Sequence, residues 1–169
     1  EKIMTQIKLG DQVVNLSGTM PSVGSKAPDF LLANNDLVNM TLKDFEGKRL
    51  VLNIFPSLAT PVCSASAYKF NELAGDMNNT VVICISRDLA FSQKQFCTIN
   101  NLENVLFLSD MRSEDFANDY GILHTNGKFQ GLLARSVVII NTDKTIGYTQ
   151  LVDQTGHEPN YDEVLDALI

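Results

Sequence analysis

The sequence lacks the features that mark several large classes of protein. Its three cysteines are too few for a disulfide-rich secreted scaffold, and without a Cys-x-x-Cys pair it has no dithiol redox site of that spacing. Apolar runs fall short of the about 18 residues that a membrane-spanning helix needs. Basic residues are outnumbered, 13 Lys and Arg against 20 Asp and Glu, which argues against nucleic acid or an anionic membrane as a partner. The two histidines and the scattered carboxylates give no spacing typical of a metal site.

What is present is an ordinary globular composition. The 169 residues, 44% hydrophobic and 20% charged, suit one domain with a full core, so we expect a single domain over residues 1–169. Residues 1–4 contain no secretory hydrophobic stretch. The cysteine usage fits a reducing compartment. We therefore expect a cytoplasmic protein, with a bacterial periplasmic location left open if a leader was removed.

The most informative stretch is LVLNIFPSLATPVCSASAYKFNEL, residues 50–73. Its first six residues form an apolar run typical of a buried strand, and Pro56 ends that run because proline has no N–H for a sheet. Thr60 then stands where a helix N-cap is expected, and Pro61 suits the first helical position. The apolar spacing that follows predicts an amphipathic helix. Cys63 is the third residue of that helix.

The position of Cys63 points to a reactive thiol. The N–H groups of a first helical turn have no intrahelical partner, and the helix dipole adds a partial positive charge there. Both favour the thiolate, which is the nucleophilic form of cysteine. Buried structural cysteines are also common, so the position alone leaves a reactive and a structural Cys63 equally open.

Patterns elsewhere alternate between strands and helices. This order predicts an α/β domain with a mixed central sheet flanked by helices and an N-terminal β-hairpin, and a thioredoxin-like architecture fits it. The elements predicted besides the central strand and helix are a hairpin at residues 6–9 and 13–16, a short strand at 29–32, a helical turn at 41–47, a strand at 80–86, a helix at 89–97, a strand at 105–108, a short helix at 109–120, a hairpin at 136–140 and 146–149, and a helix at 161–169.

Five separated segments resemble one family. Pro56, Thr60 and Cys63 form the Pro-x-x-x-Thr-x-x-Cys pattern of the peroxiredoxins. The segments CISRDLAFSQKQFC, LSDMRSEDFANDYG, GLLARSVVII and EPNYDEVLDAL are similar, in order and spacing, to the thiol peroxidase subfamily. The resemblance covers nearly the whole chain, including the N-terminal hairpin.

This resemblance assigns roles to five residues. It implies that Cys63 is the peroxidatic cysteine and that the Thr60 hydroxyl holds the peroxide and the thiolate. Pro56 would shield the sulfur from bulk water, and Arg135 would place a positive charge beside it. Cys97 would be the resolving cysteine, which forms an intrachain disulfide with Cys63 in an atypical two-cysteine mechanism.

The resemblance also implies partners. The expected substrates are hydrogen peroxide and organic hydroperoxides, the expected reductant is thioredoxin, and a homodimer is expected. No metal, haem or flavin cofactor is implied. Many members of the subfamily carry an acidic residue where this chain has Ala59 and a small residue where it has Pro61. These differences leave the stiffness of the loop and the choice of reductant open.

Each proposed site residue has a structural alternative. Arg135 could be a surface arginine, Thr60 only an N-cap and Pro56 only a strand stop, while Cys97 alone would pass as a helix-face cysteine. Cys84 lies within an apolar run and is better interpreted as a core thiol. The two histidines, His124 and His157, lie in turn-rich polar segments and are predicted to be solvated.

Other function classes can be compared with the peroxidase. A cysteine hydrolase would need His124 or His157 as a base beside Cys63, but no hydrolase motif surrounds either histidine. A redox-sensing or binding module on the same fold, with slow turnover, is the main alternative. A nucleotide-binding P-loop is excluded, because the glycines in residues 121–128 have the wrong spacing and Phe129 stands where Ser or Thr is required.

Overall fold

The site is built on a mixed sheet in the computed structural model, which describes residues 5–169. Seven strands pair in the order β4-β3-β7-β6-β5-β8-β9, with β5, β6 and β7 parallel and the other pairs antiparallel. A separate hairpin joins β1 and β2. The strands are β1 Gln6–Leu9, β2 Gln12–Asn15, β3 Leu32–Ala33, β4 Asn39–Met40, β5 Arg49–Ile54, β6 Thr80–Ser86, β7 Val105–Ser109, β8 Ser136–Ile140 and β9 Ile146–Leu151.

Four α-helices accompany the sheet: α1 Pro61–Ala74, α2 Ala90–Ile99, α3 Asp115–Asp119 and α4 Tyr161–Ala167. A 3₁₀ turn covers Leu42–Phe45. This is the predicted α/β architecture, including the N-terminal hairpin and the helix that begins at Pro61. Within residues 5–169, none of the helices combines the length and the apolar character that crossing a membrane would require.

The core has two parts, one on each face of the sheet. Side chains of a strand alternate between the faces, so Leu50, Leu52 and Ile54 of β5 join one buried cluster, whereas Val51 joins the other. The second cluster contains Cys63 from α1. The cysteine therefore lies at the interface between α1 and the sheet.

Two elements begin at least three residues later than predicted. The short strand predicted at 29–32 begins only at Leu32. The Asp29 carboxylate accepts the N–H groups of Phe30 and Leu42, which ties this segment to the start of the 3₁₀ turn instead of to a neighbouring strand. The short helix predicted from residue 109 begins at Asp115. Its expected first residues are engaged elsewhere, since Asp110 forms a salt bridge of 2.8 Å with Arg87.

Helix α2 also differs in the face that it buries. Phe91 was expected among its apolar positions, but the side chain is 65% exposed. The buried residues of α2 are Ala90 and Gln93. Phe96, also expected among the apolar positions, does pack against the core, with its ring centroid 6.1 Å from that of Phe107.

The N-terminal hairpin is attached to the loop between β9 and α4. The Lys8 N–H donates to the Asp153 carbonyl at 2.7 Å. The Lys8 carbonyl accepts both the N–H and the hydroxyl of Thr155, each at 2.9 Å. Two of these three hydrogen bonds hold Thr155 directly, which matters for the site described next.

Candidate active site

Cys63 lies where the sequence predicts it, in the first turn of α1. The helix begins at Pro61 after Thr60, whose backbone is extended, and Cys63 is its third residue. The side chain is fully buried in the cluster between α1 and the sheet. Its sulfur therefore lies near the unpaired N–H groups at the positive end of the helix dipole, away from bulk water.

Arg135 brings a positive charge to this sulfur. Its Nη1 lies 3.4 Å from Cys63 Sγ, and the side chain is only 2% exposed. Sheet pairing explains the approach: β5 and β8 are antiparallel with Ile54 opposite Ser136, so Arg135 stands beside the end of β5, where the loop to α1 begins. The alternative of a surface arginine is wrong.

Thr155 orients the guanidinium and was not recognised in the sequence. Its carbonyl accepts Arg135 Nε at 3.2 Å and Nη2 at 3.0 Å. Two donors on one carbonyl fix the plane of the guanidinium and leave Nη1 directed at the sulfur. Thr155 is itself held by Lys8 of the hairpin. Neither residue belongs to a local motif, so no sequence signal could have identified this support.

Pro56 and Thr60 bracket the loop that leads into α1. Pro56 is buried at the end of β5. The Thr60 hydroxyl donates to the Ser57 carbonyl at 3.0 Å rather than capping the helix backbone, so only the position of the predicted N-cap is correct. Because this hydrogen bond uses the hydroxyl proton, the Thr60 hydroxyl oxygen can still accept a hydrogen bond from another donor.

Asp88 anchors the same loop and was also missed. Its carboxylate accepts the Ser57 hydroxyl at 2.7 Å and the Leu58 N–H at 2.8 Å. It belongs to the segment CISRDLAFSQKQFC, but nothing in that segment shows that its side chain meets a loop 30 residues earlier.

The other two cysteines occupy different environments. Cys97 lies on α2, half-buried, and its thiol donates to the Leu102 carbonyl at 3.1 Å. Burial raises the pKa of the Cys97 thiol, and this hydrogen bond partly opposes the rise. Cys84 is fully buried, as predicted for a core thiol, and desolvation raises its pKa to about 12. All three cysteines, Cys63 included, are free thiols.

The histidines are not arranged as catalytic bases. His124 is 1% exposed, so the prediction that it is solvated is wrong, whereas His157 is exposed. The turn that contains His124 is folded against β2, which buries the ring. Among residues 5–169, the side-chain hydrogen bond to Cys63 Sγ comes from Arg135, and neither histidine makes one. The cysteine hydrolase alternative therefore lacks its base within that part of the chain.

Comparison with known proteins agrees with this geometry. The sequence model of the Redoxin family matches residues 22–165. The chain belongs to the redoxin family. The thiol peroxidase of Corynebacterium glutamicum is 47% identical over 152 residues, which cover 90% of this chain and 92% of that protein. The thiol peroxidase of Mycobacterium tuberculosis is 44% identical over 165 residues, 98% of this chain and 99% of the relative.

A solved structure agrees over the same extent. The peroxiredoxin-like protein of Aquifex aeolicus superposes with a TM-score of 0.91 at 37% identity, covering 98% of this redoxin and 96% of that chain. The thioredoxin-like fold predicted from the order of elements is therefore confirmed. Within the redoxins, the chain is a member of the thiol peroxidase subfamily of the peroxiredoxins, and it is a thiol-dependent peroxidase.

We predict that His124 makes this redoxin less stable as the pH falls. Its Nδ1 lies 2.8 Å from the Leu132 carbonyl, its Nε2 has no hydrogen-bond partner among residues 5–169, and burial lowers its pKa below the ordinary 6.5. The unfolded chain therefore binds the proton first, and the free energy of unfolding falls as the pH drops through about 6.5, by at most about 1.4 kcal/mol per pH unit.

Urea denaturation at pH 7.5, 6.5 and 5.5 measures this effect. His124→Asn retains a side-chain N–H for the Leu132 carbonyl and has no titrating group, so its stability should fall less steeply with pH. The exposed histidine supplies the control, and His157→Asn should follow the wild type. Equal pH slopes in the wild type and His124→Asn would contradict the prediction.

Proposed function

We propose that this peroxidase reduces hydrogen peroxide and organic hydroperoxides at Cys63, which becomes a sulfenic acid that Cys97 then resolves. The observation that carries the proposal is the distance of 3.4 Å between Arg135 Nη1 and Cys63 Sγ in the first turn of a helix. A guanidinium stays protonated at any working pH, and together with the helix dipole it favours the thiolate.

The first step is a displacement at the peroxide. The Cys63 thiolate attacks one oxygen of the O–O bond, so that an S–O bond forms and the O–O bond breaks. The sulfur is oxidised to a sulfenic acid, and the other oxygen departs with the electron pair and takes up a proton to become water or an alcohol. Donors directed at the departing oxygen lower the barrier because negative charge develops there. Arg135 has the fixed fork of donors that this task needs.

Thr60 and Pro56 would complete the site. Because the Thr60 hydroxyl donates to the Ser57 carbonyl, its oxygen can accept a hydrogen bond from the peroxide O–H. We propose that this contact orients the peroxide for attack by Cys63. The buried Pro56 would exclude water from the sulfur and so strengthen the electrostatic interactions there.

The second step joins Cys63 to Cys97. The Cys97 thiolate attacks the Cys63 sulfur, so that the S–S bond forms and the S–O bond breaks, and hydroxide leaves and is protonated to water. The two residues are 34 positions apart in the chain (97 minus 63), and closing a loop of this length costs little entropy. Their Cα atoms must come within about 7 Å. Both residues lie in regular helices, so we expect local unwinding before the bond forms.

We further propose that thioredoxin reduces the disulfide and that the protein works in a reducing bacterial cytoplasm, which would supply thioredoxin. We also propose that the protein is a homodimer. The exposed apolar side chains of α2, Leu89 before it and Phe91 and Ile99 within it, support a protein-binding surface. NADPH consumption with thioredoxin and thioredoxin reductase tests the reductant.

Sedimentation velocity tests the dimer, and a monomer at micromolar concentration would contradict it. The redox-sensing alternative is not favoured by the thiol peroxidase relatives.

The mechanism predicts a distinct product for each cysteine variant. On mixing with hydrogen peroxide or an alkyl hydroperoxide, the reduced wild type should lose two thiols and form a Cys63–Cys97 disulfide. Cys97→Ser should retain a sulfenic acid on Cys63, and Cys63→Ser should lose no thiol quickly. Cys84→Ser is the control and should behave as the wild type, because the Cys84 thiol is buried and protonated.

Rapid-quench thiol titration and non-reducing mass analysis identify these products. The peroxidase mechanism fails if the wild-type Cys63 reacts with peroxide no faster than a free cysteine. The resolving role alone fails if the wild type retains a sulfenic acid as Cys97→Ser does.

Arg135→Lys should lower the second-order rate constant for Cys63 oxidation by about 100-fold, which is typical of losing one donor to a developing negative charge. Lysine keeps the positive charge, but one ammonium cannot occupy the Thr155 carbonyl and also reach the sulfur as the guanidinium does. The matched control is Arg112→Lys, since Arg112 is exposed and should change the rate less than about twofold. Equal rates in Arg135→Lys and the wild type would remove Arg135 from the chemistry.

A further inference from the structure

A partly buried polar network connects the loop before Cys63 with the start of α2. Its centre is Asp88, which lies between β6 and α2. One carboxylate oxygen accepts the Ser57 hydroxyl at 2.7 Å. The other accepts the Leu58 N–H at 2.8 Å and the Ser86 hydroxyl at 2.7 Å. Three donors on two oxygens fix the carboxylate and, through it, the loop.

On one side the network reaches a residue of the proposed chemistry. The Ser57 carbonyl accepts the N–H of Thr60 at 3.1 Å and its hydroxyl at 3.0 Å. The Ser57 hydroxyl also accepts the Ala59 N–H at 3.1 Å. The hydrogen bond from Ser57 to Asp88 therefore determines where the Thr60 hydroxyl lies relative to Cys63.

On the other side the network reaches the helix that carries Cys97. Asp88 stands two residues before Ala90, the first residue of α2. In the first turn of α2, Gln93 donates through Nε2 to the Ser86 hydroxyl at 3.1 Å and to the Leu108 carbonyl at 3.0 Å. Ser86 thus links the Asp88 carboxylate to α2.

We propose that Asp88 is a positioning residue that holds the loop 57–60 against the first turn of α2. Through this contact it favours the closed site that reacts with peroxide and opposes the opening that the Cys63–Cys97 disulfide requires. This inference rests on the proposed function. It concerns the balance between the two steps, and Asp88 touches neither the peroxide nor the sulfur.

The carboxylate is needed for its acceptor capacity. Asparagine has a similar shape but offers one acceptor oxygen and an NH₂ group. In Asp88→Asn the NH₂ group would face at least one of the donors that the carboxylate accepts, the Ser57 hydroxyl or the Leu58 N–H. Losing a hydrogen bond to a charged group typically changes an equilibrium by about 10-fold or more. The ratio of closed to open loop should fall by a factor of this size.

The experiment compares Asp88→Asn with the wild type and with Asp76→Asn, an exposed carboxylate that follows α1 and involves the same change of charge. Stopped-flow oxidation in a Cys97→Ser background gives the rate of the first step. Single-turnover mass analysis in the full chain gives the rate of disulfide formation. A second run with excess peroxide gives the fraction over-oxidised to sulfinic acid, because that step consumes a second peroxide. Amide hydrogen exchange of the reduced proteins, without peroxide, reports opening of the loop 57–60 and of α2 directly.

For Asp88→Asn we expect peroxide oxidation to slow, by up to about 10-fold, while disulfide formation is unchanged or faster, so that the over-oxidised fraction falls. Exchange protection should be lost in the loop and the first turn of α2 and kept in β5 and β6. Ser57→Ala removes one of the three donors and should show a smaller change in the same direction. If Asp88→Asn does not fold, Ser57→Ala tests the positioning role of Asp88 in its place.

Two results would overturn the proposal. The first is wild-type rates and wild-type exchange in Asp88→Asn. The second is an equal slowing of both steps with protection lost throughout the sheet, which would mean that Asp88 only stabilises the fold. If the wild type itself does not react with peroxide, the proposed function fails, and the exchange comparison alone then supports or overturns the positioning role of Asp88.

Discussion

The contact between the Arg135 guanidinium and the Cys63 sulfur forms only if several separate elements of the fold are in place. A guanidinium that is 2% exposed costs several kcal/mol of desolvation unless its donors are satisfied. Its Nε and Nη2 meet the Thr155 carbonyl, and its Nη1 meets Cys63 Sγ. The three residues lie on separate elements, so the site exists only when α1, β8 and the loop before α4 are assembled. This requirement explains why an N-terminal hairpin, through Lys8, belongs to the support of a site far along the chain.

The proposed reaction makes opposite demands on the same region. In the proposed mechanism, reaction with peroxide needs a closed, water-excluding site around Cys63, whereas disulfide formation needs local unwinding of one or both of the helices that carry Cys63 and Cys97. Helix α2 fully buries only Ala90 and Gln93 and exposes Phe91, so its opening has to separate mainly one large apolar contact, that of the Phe96 ring with Phe107 in the core. The helix α1, by contrast, buries Cys63 and three further side chains and is better anchored. Asp88 joins the loop before α1 to the start of α2. We therefore infer that its hydrogen bonds affect the balance between the closed and the open site.

Much of the fold follows from local signals. The bounds of β6 were predicted without error, and α1 begins at Pro61 with Cys63 as its third residue, because apolar runs and a proline after a capping position act over a few residues. Boundaries were missed where a side chain makes a distant contact. Asp110 forms a salt bridge with Arg87 instead of starting a helix, and Asp29 caps backbone N–H groups instead of joining a strand.

The sequence by itself determined the α/β order, the family and the place of a reactive thiol at a helix start, since each of these depends on neighbouring residues or on a continuous motif. Only the tertiary structure decided which side chains surround that thiol. Arg135 and Cys63 are separated by 72 positions and meet because β5 and β8 pair in one register. His124, read as solvated from its polar neighbours, is buried because its turn folds against β2. The burial and the electrostatic contacts of a residue depend on distant parts of the chain that pack against it. The composition of the neighbouring sequence therefore does not predict them.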